Sequence, residues 1–489
     1  MKSIKLILLG LCPVVLSAQN PESFCGTSFG SQSTLIQSRK IPVDQHKEFS
    51  QLPIYVPLQV HIVQDDNGSA GYSYLNLMES ICTLNEDFEP TGLQFYLENP
   101  VNYINKTAWN THLTYNPGEE MMIQSNVPNM VNCYIVSNPA GNCGYFTYRG
   151  DGVALSKGCL GKKSHTWAHE LGHYFSLGHT FFGWEGIVYN SSKPTEEYQS
   201  QVRTEIENVV RDQCHNQADH FCDTYPDYIS NRWSCDGNKK STLVQIDKNG
   251  VSFTSDGTLF MSYASDACMN RFSTEQMADM NNFYSFNRSY LKRNQIEFKA
   301  ISNIDYSSFK PLDSSTIYYK NPTFTWDPVP GADGYIFQLS RNDIFTAVLK
   351  TVYVKTPFYQ TDSLVLGKNH YWRIKPLNAF NFCTPFSKYH TVVGSLLSSN
   401  QQAEINTSIK IYPSPVQSGQ KLYLENKNTD HIISIAIQDL TGKTVKLFNP
   451  INTQDHISIE IPQLKAGLYY LIMKSNTGNQ STKFIVTNP

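Results

Sequence analysis

The densest chemistry in the chain lies in His169-Glu170-Leu171-Gly172-His173-Tyr174-Phe175-Ser176-Leu177-Gly178-His179. Histidines four residues apart sit one helical turn apart on one face, so both imidazoles can reach a single ion. Were the helix to continue, His179 would lie about 9 Å further along the axis than His173. The helix must therefore stop, and a turn must bring His179 back as a third ligand. Three histidines leave the fourth tetrahedral position of a zinc ion to water, as catalytic zinc sites do. Zinc lowers the pKa of that water towards neutrality, and Glu170 stands close enough to take its proton. The competing readings are weaker. Accidental surface histidines would need a third at the right offset in a chain with 13 histidines in 489 residues. A structural zinc site would close its shell with four protein ligands and would not need the glutamate.

On these residues the chain resembles the metzincin zinc metallopeptidases, and within them the pappalysin-like (cytophagalysin) branch. Downstream, Leu259-Phe260-Met261-Ser262-Tyr263-Ala264-Ser265-Asp266 is similar to the metzincin Met-turn. The resemblance implies that Met261 forms an apolar floor beneath the metal and that Tyr263 donates a hydrogen bond to the tetrahedral oxyanion. Asp266 matches an acidic position at the base of the S1′ pocket, which implies cleavage before Arg and less readily Lys, by a bidentate ion pair. Asp219-His220-Phe221-Cys222-Asp223-Thr224 resembles a segment that binds structural Ca²⁺ through the Asp219 carboxylate and the oxygens of Cys222 and Thr224. Without the resemblance, Met261 is a core methionine and the two acids are solvated loop residues. The family carries glycine where this chain has Ser176. A serine with positive φ costs on the order of 1 kcal/mol, so Gly178 is expected to take over the turn.

The elements that must position these residues are legible as alternating patterns. Ile54 to Val63 reads as a strand, Tyr74 to Phe88 as a helix, and Leu93 to Leu97, Val131 to Val136 and Gly152 to Leu155 as further strands. The zinc helix follows, with Ser164 or Thr166 as its N-cap. A capping box, Ser273 with Gln276, opens a helix expected to run to about residue 293 and to close the catalytic domain, 53–297.

Ahead of this domain, Lys2, Lys5, an apolar run from Leu6 to Leu16 and Ser17-Ala18 read as a secretory signal peptide, 1–18. That run is too short to cross a bilayer core of about 30 Å as a helix, and no later stretch reaches transmembrane length. Residues 19–52 read as a pro-segment. Of the 11 cysteines, Cys12 falls in the signal, leaving an even number for an oxidising compartment. Cys143 and Cys159 are expected to pair, with Cys82 or Cys133 as alternative partners. Cys25 is either half of a disulfide or, as the resemblance implies, a latency switch whose thiolate fills the open zinc position. In the second case another cysteine is unpaired, and Cys383 is the candidate. Ser38-Arg39-Lys40 is the expected site of self-processing.

Beyond the catalytic domain, Pro322 to Trp326, Gly334 to Leu339 and His370 to Lys375 alternate with period two, and the stretch 298–395 resembles a fibronectin type III sandwich. A polar linker, 396–405, leads to 406–489. There Ile411-Tyr412-Pro413-Ser414-Pro415, Asp439-Leu440-Thr441-Gly442-Lys443 and Leu464-Lys465-Ala466-Gly467-Leu468-Tyr469-Tyr470-Leu471 resemble the C-terminal sorting domain of the type IX secretion system. The expected fold is multidomain: an α+β metzincin-type zinc protease domain followed by two all-β sandwiches.

A net charge of −3 without a basic stripe excludes the usual footprint of nucleic-acid binding. The reading is a secreted or surface zinc endopeptidase, exported through the periplasm by the type IX machinery and acting on protein or peptide substrates. The rivals are a surface adhesin or carbohydrate-binding protein with an inactive protease-like domain, and a zinc hydrolase of non-peptide amides.

Overall fold

The computed structural model describes residues 23–38, 53–191, 206–396, 409–426, 432–448, 456–475 and 478–487. The signal peptide, Arg39, Lys40 and most of the linker lie outside them. Two compact units are present: residues 1–300 with Asn378–Cys383, and residues 301–377 with 384–489.

The first unit is built on a mixed sheet. Its strands are β1 (Ser23–Cys25), β2 (Ile54–Gln64), β3 (Leu93–Leu97), β4 (Asn102–Asn105), β6 (Val131–Val136), β8 (Asn142–Thr147) and β9 (Gly152–Ser156), while β5 (Thr111–His112) and β7 (Asn138–Pro139) pair separately. The order β1-β8-β9-β6-β2-β3, with β4 also on β2, puts β2 and β6 at the centre. Their parallel pairing buries both faces, including the polar Gln59 and His61 of β2 and Asn132 of β6. Helices α1 (Phe29–Ser38), α2 (Tyr74–Phe88), α3 (Thr107–Asn110), α4 (Tyr115–Ser125), α5 (Thr166–Tyr174) and α6 (Thr274–Phe286) complete this part of the chain. A small hairpin, β10 (Gln245–Ile246) and β11 (Ser252–Phe253), lies in the long irregular stretch between α5 and α6.

Helix α5 carries the His-Glu motif and every one of its residues is buried. Its N-cap is His165, with no side-chain cap bond, rather than Ser164 or Thr166. Ser164 Oγ instead donates to the Cys159 carbonyl, and Thr166 is already helical. Helix α6 has the expected capping box but ends at Phe286, short of residue 293. Strand β8 was not expected: Asn142-Cys143-Gly144 is a weak strand signal, and the sheet supplies the order that local propensity lacks.

Four disulfides are present among the described residues: Cys82–Cys383, Cys143–Cys159, Cys214–Cys222 and Cys235–Cys268. Cys25 and Cys133, both buried, take part in none of these disulfides, so the expectation that Cys383 is unpaired is corrected. Segment Asn378–Cys383 belongs to the first unit, where Ala379 O accepts from Leu97 N–H at 3.0 Å and Phe380 stacks on Tyr96. That placement brings Cys383 to Cys82 on α2. Cys133 sits on the central strand β6, where its sulfur accepts from the Trp167 indole N–H at 3.3 Å.

The second unit holds two β-sandwiches. Strands β12 (Ser315–Tyr318), β14 (Gly334–Ser340), β15 (Val348–Val354), β17 (Asn369–Leu377) and β18 (His390–Ser395) form one sheet, faced by β13 (Thr323–Thr325) and β16 (Phe358–Gln360). Phe324, Trp326, Phe337 and Trp372 fill its core. In the last module, β19 (Ile409–Tyr412), β21 (Lys421–Asn426) and β24 (His456–Glu460) form one sheet. The other comprises β20 (Val416–Gln417), β22 (Ile432–Gln438), β23 (Thr444–Phe448), β25 (Gly467–Ser475) and β26 (Gly478–Thr487). Leu422, Ile435, Ile437, Leu471 and Phe484 are buried in its core. The protein is thus multidomain and sheet-rich, and among the described residues its α-helices all lie in the first unit.

This cysteine pattern is directly checkable. Peptide mapping without reduction should recover the four stated pairs. Of the cysteines beyond residue 18, only Cys25 and Cys133 should take up an alkylating reagent, and both only after denaturation.

Candidate active site and metal centre

Helix α5 presents His169 and His173 on one face, then ends in a Schellman motif. Ser176 N–H donates to His173 O at 3.0 Å and Leu177 N–H to Gly172 O at 2.9 Å. The residue with positive φ in this motif is Ser176, at +90°, and Gly178 is not among the left-handed positions. The expectation that Gly178 takes over the turn is therefore corrected. Ser176 Oγ donates to Asp279 Oδ2 of α6 at 2.5 Å, an interaction glycine lacks and one that offsets the strained backbone. After this turn the chain returns to the site with His179.

The three ring Nε2 atoms converge: His173 lies 3.2 Å from His169 and 3.1 Å from His179. His169 Nδ1 faces Phe260 O at 2.6 Å and His173 Nδ1 faces Leu177 O at 2.8 Å. A carbonyl only accepts, so these Nδ1 atoms carry the protons and the Nε2 lone pairs point at one another. Burial holds the His179 ring down at about 3 and the other two well below the ordinary histidine range, so all three stay neutral. Lone pairs at such separations repel unless a cation lies between them, and on this observation the residues fit a metal ion.

The sulfur of Cys25 completes the cluster, 3.5 Å from His173 Nε2, and the four donor atoms lie within 4.8 Å of one another, all buried. Cys25 is delivered by β1, which adds to β8 in parallel with Cys25 opposite Gly144. The same segment engages the other site residues. Thr27 Oγ1 donates to Glu170 Oε2 at 3.0 Å, and Tyr263 Oη donates to the Cys25 carbonyl at 2.9 Å. Gln32 Oε1 accepts from His179 N–H at 2.9 Å. Neither Thr27 nor Gln32 was singled out in the sequence; an ordinary threonine and glutamine contacting residues more than 140 positions away leave no local signal.

Glu170 is fully buried, and that burial pushes its carboxyl up to about 8 against hydrogen bonds from Cys25, Thr27 and the Phe146 backbone. Its place depends on Gly144: a Cβ there would meet Glu170 Cγ at 2.8 Å. Gly172 does the same for Met261, whose sulfur an added Cβ would overlap. Met261 is wholly buried under the helix, and its carbonyl accepts from Thr180 N–H. Asp227, another residue the sequence did not flag, accepts from Thr180 Oγ1 at 2.8 Å, Ser255 Oγ at 2.7 Å and Ser262 Oγ at 3.3 Å. It thereby joins the residue after His179 to the residue after Met261.

Asp266 lines a cavity of about 450 Å³ together with Phe24, Arg232, Tyr263 and Thr166. The calcium expectation meets a mixed arrangement. Asp219 Oδ1 accepts from Thr224 Oγ1 and Phe221 N–H, both at 3.1 Å, but the carbonyls of Cys222 and Thr224 accept from Arg211 Nη1 at 2.8 and 3.1 Å. Nearby Glu207 was not anticipated. It is 2 % exposed, neither carboxylate oxygen has a partner among the described residues, and burial and then Asp219 push it up to about 9.

Comparison with known proteins gives three kinds of match. Residues 410–487 match the family of secretion system C-terminal sorting domains. Two curated relatives are extracellular metalloproteases. The one from Verticillium alfalfae is 27% identical over 197 residues, covering 35% of this chain and 70% of that protein. The one from Pyricularia oryzae is 30% identical over 158 residues, covering 27% of this chain and 53% of that protein. Among solved structures, a promirolysin variant of Tannerella forsythia is similar at 16% identity and a TM-score of 0.39, over 55% of this chain and 97% of that one. The chain is therefore related in part to metalloproteases and ends in a secretion sorting domain, which makes it a secreted or cell-surface protein. No helix among the described residues is long and apolar enough to cross a membrane.

The Ser176 turn makes a quantitative demand. Ser176→Ala keeps the strained backbone and removes a buried charge-assisted hydrogen bond, so it should cost about 2 kcal/mol. Ser176→Gly relieves the strain and should cost about half as much. Denaturant midpoints of the two variants check the order.

Proposed function

We propose that this exported relative of metalloproteases is a zinc-dependent endopeptidase of the metzincin, pappalysin-like type, produced in a latent form. The observation that carries the reading is the convergence of three neutral, buried imidazoles and one cysteine sulfur on a single point. Nitrogen and thiolate donors in a tetrahedral set are those zinc prefers. His169, His173 and His179 would hold the ion, and zinc bound there supplies Lewis acidity to a water and to the scissile carbonyl.

The chain's own residues do the rest. Glu170 takes the proton of the attacking water and delivers it to the leaving amine; a buried carboxyl with a pKa raised towards neutrality suits both transfers. Tyr263 Oη, which now donates to the Cys25 carbonyl, would donate to a substrate carbonyl oxygen in that place as charge develops on it. Met261, packed against Gly172, would keep the floor apolar. When β1 leaves, the edge of β8 becomes available to an extended peptide by strand addition.

Latency would follow from the same contacts. With zinc bound, Cys25 would fill the open ligand position as thiolate, while Thr27 holds the general base and the Cys25 carbonyl holds the Tyr263 hydroxyl. Asp266 in the cavity beside the site supports a preference for Arg, and less for Lys, after the cut. A structural calcium ion near Asp219 is supported by the Glu207 carboxylate, which has no partner among the described residues and which a divalent cation would satisfy. For Cys222 and Thr224 to join it, Arg211 must release their carbonyls. The adhesin reading is less favoured because it leaves the buried Glu170 beside the histidines without a purpose.

Three results are expected. Glu170→Gln should retain one zinc per chain while losing casein hydrolysis by about 10³-fold; hydrolysis at the wild-type rate contradicts the proposal, as does wild-type hydrolysis that 1,10-phenanthroline leaves untouched. In the unprocessed chain, Cys25→Ala should be active where wild type is silent. The third concerns Glu207. Its folded pKa is raised above the unfolded value of about 4.3, so the folded state binds the extra proton. Stability without calcium should therefore fall as pH rises from about 4.3 towards 9. Glu207→Gln should abolish that slope, and calcium should flatten it in wild type only; thermal melts from pH 5 to 9 check both.

A further inference from the structure

The cavity beside the metal site contains its own cation. Arg232 Nη2 lies 3.2 Å from Asp266 Oδ1, with the two side chains 33% and 37% exposed. The guanidinium carbon also sits 3.9 Å over the ring of Phe24, the residue ahead of Cys25. Arg232 is fixed from behind by backbone pairing: Trp233 N–H donates to Tyr263 O at 3.1 Å, and Ser265 N–H to Trp233 O at 2.8 Å. The segment bearing Arg232 is thus held beside the segment bearing Tyr263 and Asp266, and the pair is part of the cavity wall.

Two charges of opposite sign in one cavity cancel. A basic substrate side chain entering it meets a carboxylate already engaged and a second cation beside it. We propose that Arg232 is a specificity-determining residue that competes with substrate for Asp266, so that the cavity discriminates only weakly between basic and apolar side chains until Arg232 is removed. This rests on the proteolytic reading above and names what tunes it.

The competition is winnable by substrate on geometric grounds. Arg232 and the His165 N–H, at 3.3 Å, both engage Oδ1, whereas an incoming guanidinium can use both carboxylate oxygens in a fork. An ion pair whose side chains are 33% and 37% exposed is weak, so displacement changes rates by about tenfold rather than by many orders. Phe24 shows the alternative occupant. It is 6% exposed, and Arg232 lies across its face, so the neutralised cavity wall accepts an aromatic ring in the latent chain.

The test uses the zinc-loaded full chain after removal of the residues ahead of β2, and two peptides that differ only in arginine or norleucine after the scissile bond. The readout is the ratio of their kcat/KM values. Arg232→Ala and Arg232→Gln should each raise the arginine-to-norleucine ratio about tenfold; the glutamine variant keeps the length and removes only the charge. Asp266→Ala should bring the ratio towards one, and adding Arg232→Ala to it should change nothing further. An unchanged or lowered ratio in both Arg232 variants overturns the proposal, as does an equal rise in the Asp266→Ala background. Cleavage of both peptides with such a ratio sinks this inference alone. Cleavage of neither peptide by the wild-type enzyme sinks the proteolytic reading and this inference with it.

Discussion

Three imidazole Nε2 atoms converging in a dry interior are the constraint around which the first unit is arranged. Without a cation the arrangement is repulsive, and a cation bound there would turn that repulsion into folding free energy. Its cost is that every Nδ1 must be held in place from behind. For His169 and His173 backbone carbonyls do this, and for His173 the carbonyl belongs to Leu177, inside the turn that ends the helix. Helix termination and the orientation of the His173 ring are one event.

That coupling explains several residues that look unrelated in sequence. Ser176 accepts a left-handed conformation because the Schellman turn needs one there, and Asp279 on α6 provides the compensation. Asp227 binds the residues following His179 and Met261, so the two loops that frame the site share one buried carboxylate. Gly144 and Gly172 give up side chains so that Glu170 and Met261 can approach. Each is a positional requirement rather than a chemical one.

The legible part of this protein is the part encoded at short range. The spacing of His169, Glu170 and His173 on one helix, the alternation in β2 and β6, and the capping box of α6 are local patterns set by helix and strand periodicity. What sequence reading missed depends on distance. Strand β8, which lies between β1 and β9 and carries Gly144, is ordered by its neighbours. Thr27 and Gln32 act only because β1 brings them to a site more than 140 residues away. Cys383 finds Cys82 across 301 positions because its loop belongs to the first unit. Ser176 was legible as a departure from the family pattern, but its compensation by Asp279 was not, since α6 lies about a hundred residues downstream.

The central claim is that one zinc ion is gripped by His169, His173 and His179 and capped, in the latent chain, by Cys25. X-ray absorption at the zinc edge of the unprocessed protein tests it most directly. The account predicts a four-coordinate shell with three nitrogen ligands at about 2.0–2.1 Å and one sulfur at about 2.3 Å, the sulfur lost in a Cys25→Ser variant. A shell of light atoms alone in the wild-type latent chain, or protein that takes up no stoichiometric zinc, would contradict it.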